Sequence, residues 1–493
     1  MKKYINQVAI LSLFTIAISC NRDELNVAPN NGPQLENFYN TNGDFRAGVD
    51  YAYDAFKGTG YYAQASDLSQ VIIPDIISDN LIQSPSGRGS NGLINTFDFA
   101  SNVGGVTSFY GAGYAVVARA NTVLNNINKL PAGAFKNNIE AESRAIRALA
   151  HFDIVTRYSK IPTQSVDANA SLGIAYVETY DPFALHTRDL TVSQVYDKII
   201  GDLTFAEQNL TANTGTTDVV VGRFTKAAVQ GLLSKVYLYK GDYDNAILWG
   251  QKSMTTSPSV GSATNFKNIW ADASNDGVLF KVLNSSVENI KIGSAYNQTV
   301  SGQVRSEFVV DYSLFQKYKA TDIRKDAYIL TSPFGSGANV RNYNNVIKYR
   351  QATGKPIEAV DIKVIRTAEV ALNVAEAMYK TGNVSGALSL LNTLRSQRYT
   401  GFVTGAESGT ALWDAIMLER RLELAFETDR FFTLKRLGMP IERSNFGPYF
   451  DGSGNPVQAT AKILPADSHK WQWPIPQAAI QVNTNIVQNP GYQ

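Results

Sequence analysis

Between residues 190 and 210 the chain reads LTVSQVYDKIIGDLTFAEQNL, and Val195, Ile199, Leu203, Ala206 and Leu210 recur at intervals of three and four. That period gathers the apolar side chains into one stripe of an α-helix. Thr191 and Gln194, just ahead of the stripe, have capping-box spacing, in which two backbone donors left free at a helix start are satisfied reciprocally. NTVLNNINKLP and EAESRAIRALAHFDIVTRYSKIP predict an earlier helical pair, with Pro131 and Pro162 just beyond their ends.

Two later stretches share a longer pattern. In LLSKVYLYKGDYDNAILWGQKSMTTSP, Leu233, Tyr237, Ala246 and Pro258 fall at positions 7, 11, 20 and 32 of a tetratricopeptide repeat. Gly241-Asp242-Tyr243 supplies the turn between its two helices. In ALNVAEAMYKTGNVSGALSLLNTLRSQRY, Gly382 and Ala387 stand in the same relation, but Ala246 and Ala387 are 141 positions apart. The units therefore do not form a tandem array in sequence. The tract 259–355 between them is rich in Gly, Ser, Asn and aromatic residues and predicts long loops, which inside a compact domain are usually functional. The expected fold is mostly α: a helical scaffold of dispersed repeat pairs with loops laid over one face.

Composition adds exclusions. The chain has 493 residues, 44% apolar and 18% charged, with a formal net charge of +2, as an ordinary folded protein has. No basic block is present to track a phosphate backbone, so nucleic acid is not an expected partner. Lys2 and Lys3 precede a largely apolar run from Tyr4 to Ser19. The run falls short of the about 20 residues a spanning helix needs and has the layout of a secretory signal. Cys20, the only cysteine, can form neither an intramolecular disulfide nor a thiolate metal site. It closes AISC, which looks like a bacterial lipoprotein box with Ala17 where leucine is usual. Acylation of Cys20 after removal of residues 1–19 is the expectation, and a plain signal peptide with an incidental cysteine is the alternative. The polar residues 20–36 read as a tether, and about 15 such residues reach at most about 50 Å.

Little recognisable catalytic chemistry is present. His151, His186 and His469 have no metal-ligand spacing, and neither GxSxG nor a P-loop occurs. GRGSNG (87–92) satisfies GxGxxG without opening a helix after a strand. DASNDG (272–277) begins like a calcium loop but has Leu283 where the bidentate glutamate belongs. No cofactor and no metal are expected.

The densest charged segment is ERRLELAFETDRFFTLKRLG (419–438). Continuous helix there would stack Glu419, Glu423 and Glu427 on one face, with Arg366, Arg395, Arg420 and Arg430 available as counter-charges. Two readings follow. One is a carboxylate pair of raised pKa for glycoside hydrolysis; the favoured one is a structural ion-pair network of Glu419, Glu423, Glu427 and Arg430. Several aromatic residues sit in Asn-, Ser- and Gly-rich contexts, among them Tyr61, Tyr62, Trp270 and Tyr296. An aromatic face beside hydrogen-bonding amides suits a sugar ring, so these four are the candidate ligand-stacking residues.

Taken in order, these stretches resemble the SusD/RagB family of Bacteroidetes outer-membrane lipoproteins across essentially the whole mature chain. The most specific elements are Glu369/Glu376 with Asn392 and Arg395, the segment Glu419–Arg430, and the terminal Pro474-Ile475-Pro476 and Gln488-Asn489-Pro490-Gly491-Tyr492. Thr428 stands where the family usually has glycine, and Thr433 where it usually has aspartate. The resemblance implies a SusD-like helical fold on a tetratricopeptide-like scaffold with a few short strands. One domain would span 37–493, with an N-terminal part over about 37–260 and a C-terminal RagB/SusD part over about 261–493. It further implies a lipid-anchored position on the cell surface, with Arg22-Asp23-Glu24 resembling a surface-export signal. The partner would be a SusC-like TonB-dependent transporter and the ligand a glycan, passed on without catalysis; some members of the family take peptides instead.

Overall fold

The computed structural model describes residues 38–63 and 69–492, so the signal peptide, Cys20 and the tether lie outside the described residues. One unit ends at Arg46, and a second runs from Ala47 to the C-terminus. The second carries the elements that follow. Its long helices are α1 (Ser108–Asn126), α2 (Ala134–Tyr158), α3 (Val192–Asn209), α4 (Lys226–Lys240), α5 (Tyr243–Thr256), α6 (Thr367–Lys380), α7 (Val384–Ser396), α8 (Gly409–Glu423) and α9 (Asp429–Arg436). The fold is mostly α, with short two-stranded antiparallel pairs.

The capping box is present at the start of α3, and the stripe from Val195 to Leu210 is buried. α2 is buried along most of its second half. Its last carbonyls are held by Lys435, whose Nζ donates to Thr156 O and Ser159 O at 2.7 Å each. Among the described residues no carboxylate accompanies this ammonium, and burial pushes it well below the ordinary lysine range. The C-terminal segment closes over the same helix end. Asn489 Nδ2 donates to Tyr158 O and Trp473 O, and Gln488 exchanges two hydrogen bonds with the Ile475 backbone.

The two repeat pairs turn alike. Gly241, at φ +81°, closes α4, with the Asp242 N–H donating to Tyr237 O; Asp242 Oδ1 then accepts the Asn245 N–H to start α5. Gly382, at φ +85°, and Asn383 repeat this between α6 and α7, with Asn383 Oδ1 accepting the Gly386 N–H. Glycine takes such a left-handed φ without a Cβ clash. The pairs are distant in sequence, yet α5 packs directly on α6. A Cβ on Gly250 of α5 would lie 2.2 Å from Val374 Cγ2 of α6 and 2.8 Å from Ser234 Oγ of α4. In space the four helices form one continuous stack.

The tract expected as loop carries much of the strand content. β1 (Leu81–Gln83) pairs with β5 (Phe308–Val310), β2 (Val278–Val282) with β8 (Ile362–Arg366), β3 (Asn297–Val300) with β4 (Gln303–Ser306), and β6 (Ile329–Phe334) with β7 (Arg341–Val346). Ser301 and Gly302, both at positive φ, make the tight β3–β4 connection. The buried residues Ile82, Val309 and Tyr343 bring β1, β5 and β7 together, and Phe334, Tyr449 and Val457 pack against them. Above this small core lies the candidate site.

Candidate functional site

The charged segment is not one continuous helix. α8 ends at Glu423, and the chain turns through Phe426 and Thr428, both at φ +67°, before α9 begins at Asp429. Glu419 and Glu423 share a helix face, whereas Glu427 arrives from the turn. Each meets cations. Glu423 accepts from Arg398 Nε at 2.8 Å, Arg398 Nη2 at 3.0 Å and Arg366 Nη1 at 2.9 Å. Glu427 takes Arg366 and Lys348, and Glu419 pairs with Arg324 and Arg395. Arg430 serves none of the three; it forks onto Asp79, with both contacts at 2.7 Å. Arg324, Arg398 and Lys348 belong to this network and have no signature in sequence, since each comes from a separate segment.

A general acid needs a raised pKa and access to substrate. Glu423 has neither: it is fully buried, and Arg398 and Arg366 hold it far below the usual carboxylate range against the opposing effect of burial. The cluster locks α8 to the segments around it.

Thr428 fills the usual glycine position at the cost of a left-handed β-branched residue. Its N–H donates to Asp75 Oδ2 at 3.2 Å. Arg420 does not serve the three glutamates but pairs with Asp429; Thr433 accepts from Arg420 Nε and donates to Asp429, so it joins that separate pair in place of an aspartate. In DASNDG, Asp272 is paired with Lys355 and Lys363, and Asp276 accepts from Ser262 and Asn265.

The four loop aromatics face inward, which corrects the expectation that they stack on ligand. Tyr61 is fully buried between Phe109 and Tyr62, and its hydroxyl donates to Asp153 Oδ2 at 2.6 Å. Tyr62 is buried beside Phe56. Trp270 is buried edge-on to Tyr328 and Tyr349, with Lys348 Nζ 4.2 Å from its ring centroid. Tyr296 stacks on Tyr349 and donates its hydroxyl to Val71 O at 2.7 Å. Burying such large rings stabilises the fold and anchors the polar loops that carry them. Tyr62 also lines an internal cavity of about 60 Å³ among paired charges including Asp153, Lys235, Arg366 and Glu427. That volume is too small for a sugar residue.

A surface groove of about 420 Å³ has the opposite character. One wall is the end of β1 and the loop after it, Gln83 to Gly89; the other is the segment 448–458, with Asn95 and Thr96 at one side. Glu307 fixes the first wall, its Oε2 accepting the Arg88 N–H and its Oε1 the Arg88 Nε–H, both at 2.7 Å. The second wall is a compact turn docked on β7. Gly452, at φ +80°, donates to Tyr449 O; Phe450 N–H donates to Asn342 O, and Asn344 Nδ2 to Phe450 O. Tyr449 is half-buried in the groove with its ring 5.7 Å from that of Tyr343, and the nearby Phe446 and Phe450 are exposed. No lining residue is charged, and the amides of Gln83, Asn95, Asn455 and Gln458 line it. Asn95 Oδ1 is buried, with no hydrogen-bond donor among the described residues.

Sequence reasoning missed Tyr449, Phe446 and Phe450. Their segment, NFGPYFDGSGNP, carried the same signal as the four chosen aromatics: rings among Gly, Pro, Asn and Asp.

Comparison with known proteins agrees with this architecture. The family model described as SusD family matches residues 291–492, and one described as starch-binding associating with outer membrane matches 90–238. The chain belongs to the SusD/RagB family. It is 24% identical to SusD-like protein P2 of Formosa agariphila, over the whole of both chains. A putative sugar binding protein from Bacteroides vulgatus has the same fold, with a TM-score of 0.78 and 24% identity, covering 92% of this chain and 100% of that one. A SusD superfamily protein from Bacteroides thetaiotaomicron superposes with a TM-score of 0.77 at 23% identity, covering 91% and 100%. Among the described residues, no helix is long and apolar enough to cross a membrane.

Proposed function

We propose that this protein is a surface-exposed outer-membrane lipoprotein that binds oligosaccharides or polysaccharides in the groove beside Tyr449. In this reading residues 1–19 are removed, acylated Cys20 enters the membrane, and 20–36 tether the binding domain. Each buried methylene of the acyl chains contributes about 0.8 kcal/mol to anchoring. The ligand passes to a SusC-like TonB-dependent transporter without chemistry, and tethering lets modest affinity suffice through high local concentration.

The observation that carries the glycan reading is the groove lining: an aromatic face and several amides, with no charged side chain. A peptide site needs charged partners for charged side chains, whereas a sugar presents an apolar C–H face and hydroxyls. The sugar binding protein from Bacteroides vulgatus and the starch-binding family description support the same ligand class.

Affinity electrophoresis and calorimetry on glycan and peptide panels test the proposal. Retardation by at least one polysaccharide, weakened in Tyr449→Ala, is expected. Binding of peptides alone would overturn the ligand class, and steady release of reducing ends by pure protein would overturn the non-catalytic role. Cys20→Ala should leave binding by the purified protein intact and impair uptake by cells.

A further inference from the structure

The groove lining is neutral, but three cations without a carboxylate partner among the described residues lie close to it. Arg443 lies beneath the floor, fully enclosed, and its guanidinium donates to five backbone carbonyls: Ile76, Ile77, Ser78, Asn95 and Ala461. Asn95 and Ala461 are groove-lining residues. Among the described residues no carboxylate contacts this guanidinium, and although burial lowers it to about 10 it stays charged at neutral pH. The nearest acids are already engaged: Asp79 by Arg421 and Arg430, and Asp311 by Ser313 and Ser444.

Two further cations lie close by, Arg341 beside the groove ring Tyr449 and Lys462 next in the chain to the lining residue Ala461. Arg341, exposed at the start of β7, sits 5.9 Å from the Tyr449 ring centroid. Its Nη1 donates to Ala338 O and Val340 O, and the residue is exposed, with no carboxylate partner among the described residues. Lys462 follows the lining residue Ala461 and meets the Asn445 side-chain oxygen, not an acid. Against them stand Glu307, already paired with Arg88, the exposed Asp451, which accepts from Ser453 on its own turn, and the exposed Glu442, one residue before Arg443. A buried charge with only dipoles for partners projects a field through the low-dielectric floor, and the exposed Arg341 and half-buried Lys462 add to it.

The geometry points to a polyanionic glycan as the ligand of this groove: a chain bearing carboxylate or sulfate groups, with Arg341 and Lys462 receiving the anions while Tyr449 stacks on a ring. The inference rests on the glycan reading of the groove and narrows it. An arginine fork suits either oxyanion, so carboxylated and sulfated chains are the two sources to separate.

The experiment measures affinity in 0.15 M salt for alginate and polygalacturonate, for κ-carrageenan and fucoidan, and for neutral laminarin and amylopectin. The proteins are wild type, Arg341→Gln, Lys462→Gln, the double variant and Tyr449→Ala. At least one anionic chain should bind in preference to both neutral ones, and the carboxylate and sulfate arms identify which. Either charge variant should weaken that binding by roughly two- to fivefold, the double variant by more, and raised salt should shrink the difference. Tyr449→Ala should weaken it as well.

Binding of a neutral chain that depends on Tyr449 and not on Arg341 or Lys462 would overturn the polyanion assignment and leave the glycan reading standing. Anionic binding unchanged in the double variant would overturn the assignment too. If no polysaccharide binds, both fall.

Discussion

Arg366 forks onto Glu427, its Nε donating to Oε2 at 2.8 Å and its Nη2 to Oε1 at 2.6 Å. The remaining nitrogen, Nη1, reaches Glu423. One guanidinium from the end of β8 thus joins the last turn of α8 to the turn leading into α9. Removing it leaves two buried carboxylates short of a partner, and breaking a buried pair from one side typically costs about 3–5 kcal/mol. Arg366→Ala should therefore lower the urea midpoint by an equivalent amount, and Arg366→Lys should not restore it, because an ammonium cannot reproduce the fork. A loss below about 1 kcal/mol for the alanine variant would contradict this role.

The turn that this arginine holds contains a testable strain. Thr428 sits at φ +67°, where a β-branched residue clashes with its own backbone, and its N–H bond to Asp75 does not depend on the side chain. Thr428→Gly should stabilise the protein by about 0.5–1 kcal/mol, less than the full left-handed penalty because glycine also loosens the unfolded chain. Chemical denaturation measures the shift, and destabilisation would show that the threonine methyl or hydroxyl contributes more than the strain removes.

The same turn explains where sequence reading succeeds and where it stops. The capping box of Thr191 and Gln194 is local, so spacing alone reveals it. The Gly241 and Gly382 turns are equally local, because a left-handed cap selects glycine. The stacking of α5 on α6 is not local, and nothing in either helix names the other across the intervening tract. Spacing alone puts Glu427 on the α8 face, because Leu418, Leu422 and Phe426 continue the apolar period past the point where the helix ends. No glycine at 428 signals the turn, so the periodicity outlasts the helix. For the aromatics, sequence context identifies polar loops but not the side to which a ring turns. Tyr296 and Tyr449 occur in similar company, yet one is sealed and the other lines a groove.

Asp75 gives a pH prediction with a definite sign. Burial raises its carboxyl to about 7, against opposing hydrogen bonds from Asn80 and the Thr428 N–H. Between pH 4 and 7 the folded state keeps a proton that the unfolded state has released, so stability falls as pH rises through this window. The upper limit of the effect, for a shift from 3.8 to about 7, is on the order of 4 kcal/mol. Urea midpoints across pH 4.5–7.5 should show this decline in wild type and a flatter profile in Asp75→Asn. Identical slopes would mean that Asp75 ionises normally in the folded protein.

The contrast between buried and groove aromatics yields the last prediction. Trp270 is enclosed by Tyr328 and Tyr349, with Lys348 against its face, so Trp270→Ala opens a large cavity in the interior. Such truncations cost about 3–5 kcal/mol, and any loss of ligand binding should follow loss of folded protein. Tyr449 is half-buried on the groove wall, where its removal exposes the edges of Tyr343 and Val457 but leaves the core beneath intact. Tyr449→Ala should fold with a near-native melting curve and bind polysaccharide about two- to tenfold more weakly, the range expected for one lost ring contact. Thermal melts and affinity electrophoresis on the two variants separate these outcomes. A stable Trp270→Ala protein that has lost glycan binding, beside a Tyr449→Ala protein that has kept it, would move the site from the groove to the interior aromatic cluster.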